Sequence, residues 1–443
     1  MSGLQNVDLL INARWIIPVI PEDKVFKDCS LAISDGLIVA IVPSAEARKR
    51  YSPRDEINLL DHALIPGLIN THGHAAMSLM RGFADDKPLM DWLENHIWPT
   101  EAKWVSEEFV FDGTQLAMAE MLRSGTTCFS DMYFFPDQAA KAAQLAGMRA
   151  QICAPILDFP SAWAQDADEY INKSLSVHDD FRSSDLINVG FGPHAPYTVS
   201  DEPLKRIAML ADEMQAPVQI HLHETAFEVE NAIQQQGVRP IERLQKLNLL
   251  TPLVQCIHMT QLIDADIEIL KTTGAHVVHC PESNLKLASG FCPIGKLFDA
   301  GINVALGTDS AASNNDLDLF SEMKTAALLA KAVSSDATAL DAHQALRMAT
   351  INGAKAIGQE TTIGSLEPGK AADICAVQLN DIESSPIYNP VSHLVYTNIG
   401  HKVSDVWVNG KRLLNKRQLT TLNREEILQK TQHWQAQLST KKN

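Results

Sequence analysis

The chain has 443 residues, 45% of them hydrophobic and 21% charged, and its 37 basic against 54 acidic side chains leave a formal net charge of -17. No apolar run approaches the roughly 20 residues that cross a bilayer, so no membrane role is expected. The acidic balance argues against a nucleic-acid partner, whose phosphates are gripped by clustered Lys and Arg, and favours a small-molecule substrate. The first twelve residues lack a basic stretch followed by an apolar core and a cleavage site, so secretion is not indicated and a cytoplasmic location is expected. The cysteines (Cys29, Cys128, Cys153, Cys256, Cys280, Cys292 and Cys375) are odd in number and never spaced Cys-x-x-Cys, as reduced thiols serving as small hydrophobes would be.

In chain order, residues 1–64 hold short alternating runs at 7–12, 29–33 and 37–42, with a turn at Ser34-Asp35-Gly36. Eight apolar or β-branched runs follow, at 63–70, 126–131, 149–156, 188–192, 217–222, 253–257, 275–278 and 303–307, with helical stretches between them. One such stretch, 202–215, puts Leu204, Ile207, Ala208, Ala211 and Met214 on one face, with Ser200 as its expected N-cap. Another ends at Arg123-Ser124-Gly125, where glycine suits the left-handed closing position. After about Leu366 the short alternating runs return at 372–377 and 403–408, with an Asn409-Gly410 turn.

This order predicts an α/β fold: a (β/α)8 TIM-like barrel over 65–365, and a small β-sandwich built by both chain termini, 1–64 plus 366–443. An open doubly wound sheet is the rival. It would place a glycine-rich phosphate loop after its first strand, which Pro66-Gly67 and Gly73 do not make.

The reactive side chains fall at the carboxyl ends of these runs: His72 and His74 after the first, Asp131 the second, His194 the fourth, His221, His223 and Glu224 the fifth, His258 the sixth, His279 the seventh and Asp309 the eighth. In a barrel those ends converge on one face, where such enzymes keep their chemistry. His72 and His74 are two apart on an extended segment, so both rings project to one side and can reach one ion. The competing reading is a pair of packed histidines at a strand end, but packing alone does not need polar residues at every carboxyl end.

Pro66-Gly-Leu-Ile-Asn-Thr-His72-Gly-His74, His221 with Glu224 three residues on, His258, Gly307-Thr-Asp309 and Gly364-Ser-Leu-Glu-Pro-Gly-Lys-Ala-Ala-Asp373 resemble the amidohydrolase superfamily over nearly the whole chain. Leu79-Met-Arg-Gly-Phe-Ala-Asp-Asp86, Trp92-Leu-Glu94 and Ser283-Asn-Leu-Lys-Leu-Ala-Ser-Gly290 resemble its aminohydrolase branch of 5-methylthioadenosine/S-adenosylhomocysteine deaminases, near triazine chlorohydrolases and guanine deaminases. The resemblance implies His72, His74, His221 and Asp309 as metal ligands, with a position left open for water. Many binuclear members place a lysine after the fourth strand; here that segment reads Gly192-Pro-His194-Ala-Pro-Tyr197, so one divalent metal per subunit is expected, Zn2+ with Fe2+ as the alternative.

It further implies Glu224 as the proton shuttle, His258 as the residue orienting the attacking hydroxide, and Asp309 as both ligand and hydrogen-bond acceptor. His194 and Glu101 would bind substrate, Glu101 through ribose hydroxyls, with Glu224 and Asp309 also touching it. The plainer readings are a helix-start carboxylate for Glu224, a satisfied buried histidine for His258, and ordinary helix packing for the 77–106 segment that holds Glu101, a segment that would equally serve as a lid. His223 is left off the metal list, His279 has no assigned role, and Asp131 and Arg149 are not assigned to the site, Arg149 lying at the wrong end of its strand.

The implied function is hydrolytic deamination of 5'-methylthioadenosine or S-adenosylhomocysteine to the inosine analogue and ammonia, by a homo-oligomer. The alternatives are deamination or dechlorination of a free heterocycle, guanine-like or triazine-like, and an inactive relative serving as a binding or assembly protein.

Overall fold

The computed structural model describes residues 4–439; residues 1–3 and 440–443, expected to belong to the composite terminal unit, lie outside the described residues. Four N-terminal strands come first, β1 (Gln5–Ile16), β2 (Phe26–Ser34), β3 (Leu37–Pro43) and β4 (Tyr51–Pro66). Next come β5 (Leu68–Asn70), β6 (Thr126–Asp131), β7 (Arg149–Ile156), β8 (Ile187–Pro193), β9 (Val218–Leu222), β10 (Val254–His258), β11 (His276–His279) and β12 (Val304–Leu306). The chain closes with β13 (Ile374–Gln378), β14 (Val403–Val408), β15 (Lys411–Asn415) and β16 (Gln418–Leu419).

Strands β5 to β12 pair in chain order, all parallel, with helices between them. The two edges meet: the Thr71 N–H donates to the Leu306 carbonyl at 3.0 Å and the Asp309 N–H to the His72 carbonyl at 3.1 Å. This closure makes the sheet a (β/α)8 barrel and excludes the open doubly wound alternative. Every residue of β6 and β7 is buried, as expected of parallel strands covered on both faces. Among the described residues no helix is long and apolar enough to cross a membrane.

The other eight strands form one mixed sheet in the order β16-β15-β14-β13-β4-β1-β2-β3, in which β4 from the N-terminal side pairs with β13 from the C-terminal side. The sheet is strongly curled. Gly36, in the β2–β3 turn, is so close to the β14–β15 turn that a Cβ on it would lie 2.7 Å from the Asn409 carbonyl oxygen, although four strand spacings of nearly 5 Å each separate β2 from β14 in a flat sheet. The curl lets Trp407 of β14 share a core with Leu9, Leu31 and Ile38. The two-layered unit expected from both termini is thus one sheet folded over its own inner face.

Two expectations need correction. The 63–70 run is not one strand: 63–66 pairs with β1 and β13 of the terminal sheet, and only Leu68–Asn70 enters the barrel. Pro66 has no N–H to continue a ladder, and the Gly67 N–H goes to the Asp373 carbonyl at 2.9 Å, so the chain changes sheets there. Ser200 does precede the helix Asp201–Met214, but its side chain makes no capping bond. Pro203 removes one of the N–H groups a cap would use, and the Ser200 N–H instead donates to Asp158 at 2.8 Å.

The two units are bolted together at the amino ends of the barrel strands. Arg149, at the start of β7, pairs with Asp373 at 3.1 Å and donates to Asn409 at 2.6 Å and the Asp185 carbonyl at 3.0 Å. Both side chains of the pair are at most 3% exposed, so removing either partner strands a buried charge at a cost of about 3–5 kcal/mol. This rim faces away from the reactive carboxyl ends.

The sheet crossover depends on a close approach at Gly67, where a Cβ would fall 2.1 Å from the buried Thr127 hydroxyl oxygen. Gly67→Ala is expected to destabilise by about 1–3 kcal/mol through overpacking. Thermal unfolding checks this, and an unchanged melting temperature would show that the junction relaxes freely.

Candidate metal and active site

The barrel closure builds the site. Beyond β5, the Thr71 hydroxyl adds a second bond to the Leu306 carbonyl at 2.7 Å, laying the His72–His74 turn across the end of β12. Gly307 permits the contact, because a Cβ there would stand 2.8 Å from that of His72. As a result Asp309 Oδ1 lies 3.6 Å from His72 Nε2 and 3.4 Å from His74 Nε2. Asp131, at the end of β6, accepts the Ala75 N–H at 2.6 Å and holds the far side of the same turn.

Each imidazole is anchored through Nδ1. His74 donates to the Met132 carbonyl at 2.6 Å, His221 to the His194 carbonyl at 2.7 Å, His258 to Asn284 Oδ1 at 2.8 Å and His72 to Gln219 Oε1 at 3.2 Å. A ring that donates from Nδ1 keeps its Nε2 lone pair free, and the anchors aim those lone pairs inward. His72 stacks edge-on to both His74 and His221 with centroids 4.9 Å apart, and His258 lies 5.5 Å from His221.

Electrostatics sorts the protonation states. Burial pushes His72 down to about 4, and His221 and His258 are also lowered, chiefly by burial. Burial works to raise Asp309, but the neighbouring His72, His74 and His258 hold it well below the usual carboxylate range. Its Oδ2 accepts the Ser283 and Ser313 hydroxyls at 2.6 and 3.1 Å, and its Oδ1 the Ser310 N–H at 2.8 Å. Burial thus disfavours the charged form of His72, His221 and His258 beside one ionised carboxylate.

That donor set fits a divalent metal. His72 Nε2 is buried and has no hydrogen-bond partner, a loss of about 1–3 kcal/mol for an orphan polar atom unless a cation takes the lone pair. Ligand atoms of His72, His74 and Asp309 lie within 4.8 Å of one another, as do those of His72, His221 and His258. By spacing alone, therefore, His258 stands as close to the cluster as His221 does. Backbone strain concentrates here too: His223, His258 and Asp309 have φ of 53°, 75° and 59°, the left-handed region that side chains other than glycine rarely adopt.

A cavity of about 890 Å³ opens over the cluster, and His194, Glu224, His258, Asp309 and Glu101 all line it. Glu224 Oε2 is 3.8 Å from His258 Nε2, and its other oxygen accepts the Ser289 hydroxyl at 3.4 Å. Burial, with Asp309 adding repulsion, pushes Glu224 up to about 8. Glu101 accepts the Tyr133 hydroxyl at 2.7 Å, and burial lifts it to about 7 against that bond. His194, its Nδ1 beside the Thr198 hydroxyl at 3.1 Å, is driven down to about 3, mainly by burial.

The segment holding Glu101 is both packing and wall. It runs through a wide π-type turn, Leu93–Ile97, into the helix Trp98–Trp104. Pro99 supplies no N–H to close the preceding turn in the ordinary α pattern, which accounts for the wide turn. Trp92 and Ile97 are buried, yet both also face the cavity.

His223, left off the metal list, points elsewhere: its ring lies 3.1 Å from the Gln261 carbonyl and accepts the Ile241 N–H at 3.2 Å. His279 is buried with neither nitrogen bonded. Sequence reading missed the residues that hold the site. Gln219 was detectable as a polar residue two before His221 on the same strand, and therefore on the same face. Ser283 and Asn284 stood out only as the start of the Ser283–Gly290 motif, with no role attached, and Ser313 and Tyr133 gave no signal. Glu228 accepts the N–H groups of His223 at 2.9 Å and Glu224 at 2.7 Å, fixing the loop that presents Glu224.

The chain belongs to the amidohydrolase family, whose profile matches residues 63–413. A protein of Teredinibacter turnerae named 5-methylthioadenosine/S-adenosylhomocysteine deaminase is 58% identical over 442 residues, covering all of both chains. One of the same name from Saccharophagus degradans is 57% identical and covers 100% of this chain and 99% of its own. Among solved structures, an adenosine deaminase from Xanthomonas campestris with bound zinc superimposes with a TM-score of 0.98 at 48% identity, over 99% of this chain and all of that one.

Because the Ser283 hydroxyl anchors Asp309 without touching the cavity's open centre, Ser283→Ala is expected to weaken metal binding about 10–100-fold while leaving the fold intact. Chelator competition measures the affinity. An unaltered affinity would show that Asp309 needs no such support.

Proposed function

We propose that the chain is a metal-dependent hydrolytic deaminase that converts adenosine-type thioethers, 5'-methylthioadenosine and S-adenosylhomocysteine, to the inosine analogue and ammonia. The observation that carries this reading is the placing of Glu224 and Glu101 in one cavity over the histidine–aspartate cluster. Full-length relatives at 57–58% identity that bear the corresponding name support it. The barrel of β5 to β12 forms the catalytic unit, braced from the opposite rim by the terminal sheet.

His72, His74, His221 and Asp309 would hold one zinc ion per subunit, with iron as the alternative; the zinc in the Xanthomonas campestris structure supports that choice. When bound, such a cation supplies Lewis acidity, lowering the pKa of coordinated water from 15.7 toward about 7. His258 is set apart from the ligands by its neighbour, Glu224, and it orients the attacking water from beside the cluster.

Glu224 moves the protons. It takes one from the water, gives one to the ring nitrogen beside the amine-bearing carbon as charge builds there, and then assists ammonia to leave. A carboxyl near 8 is suited to both directions of transfer at neutral pH. Asp309 accepts a hydrogen bond from the attacking water. Neutral His194 holds the heterocycle, and Glu101 accepts the ribose hydroxyls. A free heterocycle would leave Glu101 without that partner, so the nucleoside reading is preferred to the guanine-like or triazine-like one.

Glu224→Gln is expected to retain its metal and lose about 10²–10⁴ in kcat, since an amide transfers no proton. Metal analysis beside an ammonia-release assay tests this, and near-normal turnover would remove Glu224 from the reaction. Glu101→Gln is expected to raise KM for nucleosides at least tenfold more than for the corresponding free base, roughly 1.4 kcal/mol of differential binding. Equal effects on both would refute the ribose contact.

A further inference from the structure

We propose that this site accepts a 5'-thioether with a neutral or cationic tail and discriminates against one bearing a carboxylate, so that 5'-methylthioadenosine is its good substrate and S-adenosylhomocysteine a poor one. The inference rests on the deaminase reading above and narrows its substrate.

The charge of the cavity walls carries the argument. The main cavity is walled by aromatic and aliphatic side chains such as Leu89, Trp92, Trp98, Phe134 and Phe159, which suit an apolar thioether. Besides histidine and tyrosine, its ionisable residues are Glu101, Glu224 and Asp309; among the described residues neither Lys nor Arg lines it. A second cavity adjoins it, sharing Leu89, Tyr197 and Glu224, and is the natural outlet for a longer tail. It adds three acids, Asp158, Asp201 and Glu228, and a single cation, Arg243.

Arg243 is already committed. Its Nε donates to Asp201 at 2.7 Å, Nη1 to the Pro196 carbonyl at 2.5 Å and Nη2 to the Val199 carbonyl at 2.9 Å. Its side chain is only 10% exposed, so recruiting it would break a buried network. The homocysteine tail is a zwitterion. In either cavity its ammonium meets carboxyl acceptors, whereas its carboxylate meets no free Lys or Arg among the described residues. Neutral donors such as the Tyr197 hydroxyl remain, but they bring neither the opposite charge nor the paired two-bond geometry with which a free arginine would hold a carboxylate.

The test compares three compounds on the metal-loaded enzyme by ammonia release: 5'-methylthioadenosine, S-adenosylhomocysteine, and 5'-deoxy-5'-(3-aminopropylthio)adenosine. The last keeps the tail's length and ammonium and lacks only the carboxylate. We expect kcat/KM for the first and third to exceed that for S-adenosylhomocysteine at least tenfold. A value for S-adenosylhomocysteine within tenfold of the aminopropyl compound overturns the proposal, because the carboxylate then carries no penalty. An aminopropyl compound as poor as S-adenosylhomocysteine overturns it equally, since tail length would be the cause. Ammonia from none of the three would strike the deaminase reading itself, and so is distinct from either result.

Discussion

The whole site depends on one buried carboxylate staying charged among imidazoles whose inner nitrogens face one another. Asp309 accepts hydroxyl and backbone N–H donors that favour its ionised form, while burial disfavours protonation of His72, His221 and His258. Such an arrangement is costly to fold, because an inward-facing lone pair such as His72 Nε2 has no partner within the protein. It is tolerated because the anchors at Nδ1 leave the rings no alternative orientation, and it makes sense as a socket for a cation.

Rigidity for that socket comes from below. The barrel interior beneath His72 is unusually polar: Gln151, Gln219 and Gln255 are fully buried and share hydrogen bonds with one another and with Ser130. A network of this kind is expensive if any member is unpaired and stiff when all are satisfied. It links strands β6, β7, β9 and β10, and Gln219 extends it to the Thr71 carbonyl and the His72 ring, so these inward-facing side chains share a common frame. The strained backbone at His258 and Asp309 sits at the upper edge of this frame, where the surrounding structure over-determines it.

Above the socket the environment changes from polar to apolar, and the carboxyl groups there face no Lys or Arg among the described residues of the cavity wall. The dry aromatic wall raises the carboxyl groups of Glu101 and Glu224 and so creates groups able to exchange protons near neutrality. The same wall strengthens every electrostatic interaction within it, attractive or repulsive. Proton transfer and tail selection therefore have a common physical origin in a low-dielectric, acid-lined cavity.

Strand alternation and the placing of histidines and acids at the carboxyl ends of apolar runs were enough for the amino-acid sequence to determine the barrel, the terminal sheet and the residues that converge, because periodicity and chain order are local properties. The supporting shell was only partly legible: Ser283 and Asn284 stood in the Ser283–Gly290 motif without a role, and Ser313 and Tyr133 look like any polar residues until strands far apart in sequence are brought together. Nor could periodicity divide 63–70 between two sheets, since the crossover at Gly67 depends on a contact with Thr127 and a bond to Asp373. Tertiary structure alone decided which ring nitrogen faces the centre, which charges line the cavity and which arginine is already engaged, because each is set by partners that only the closed barrel brings within reach.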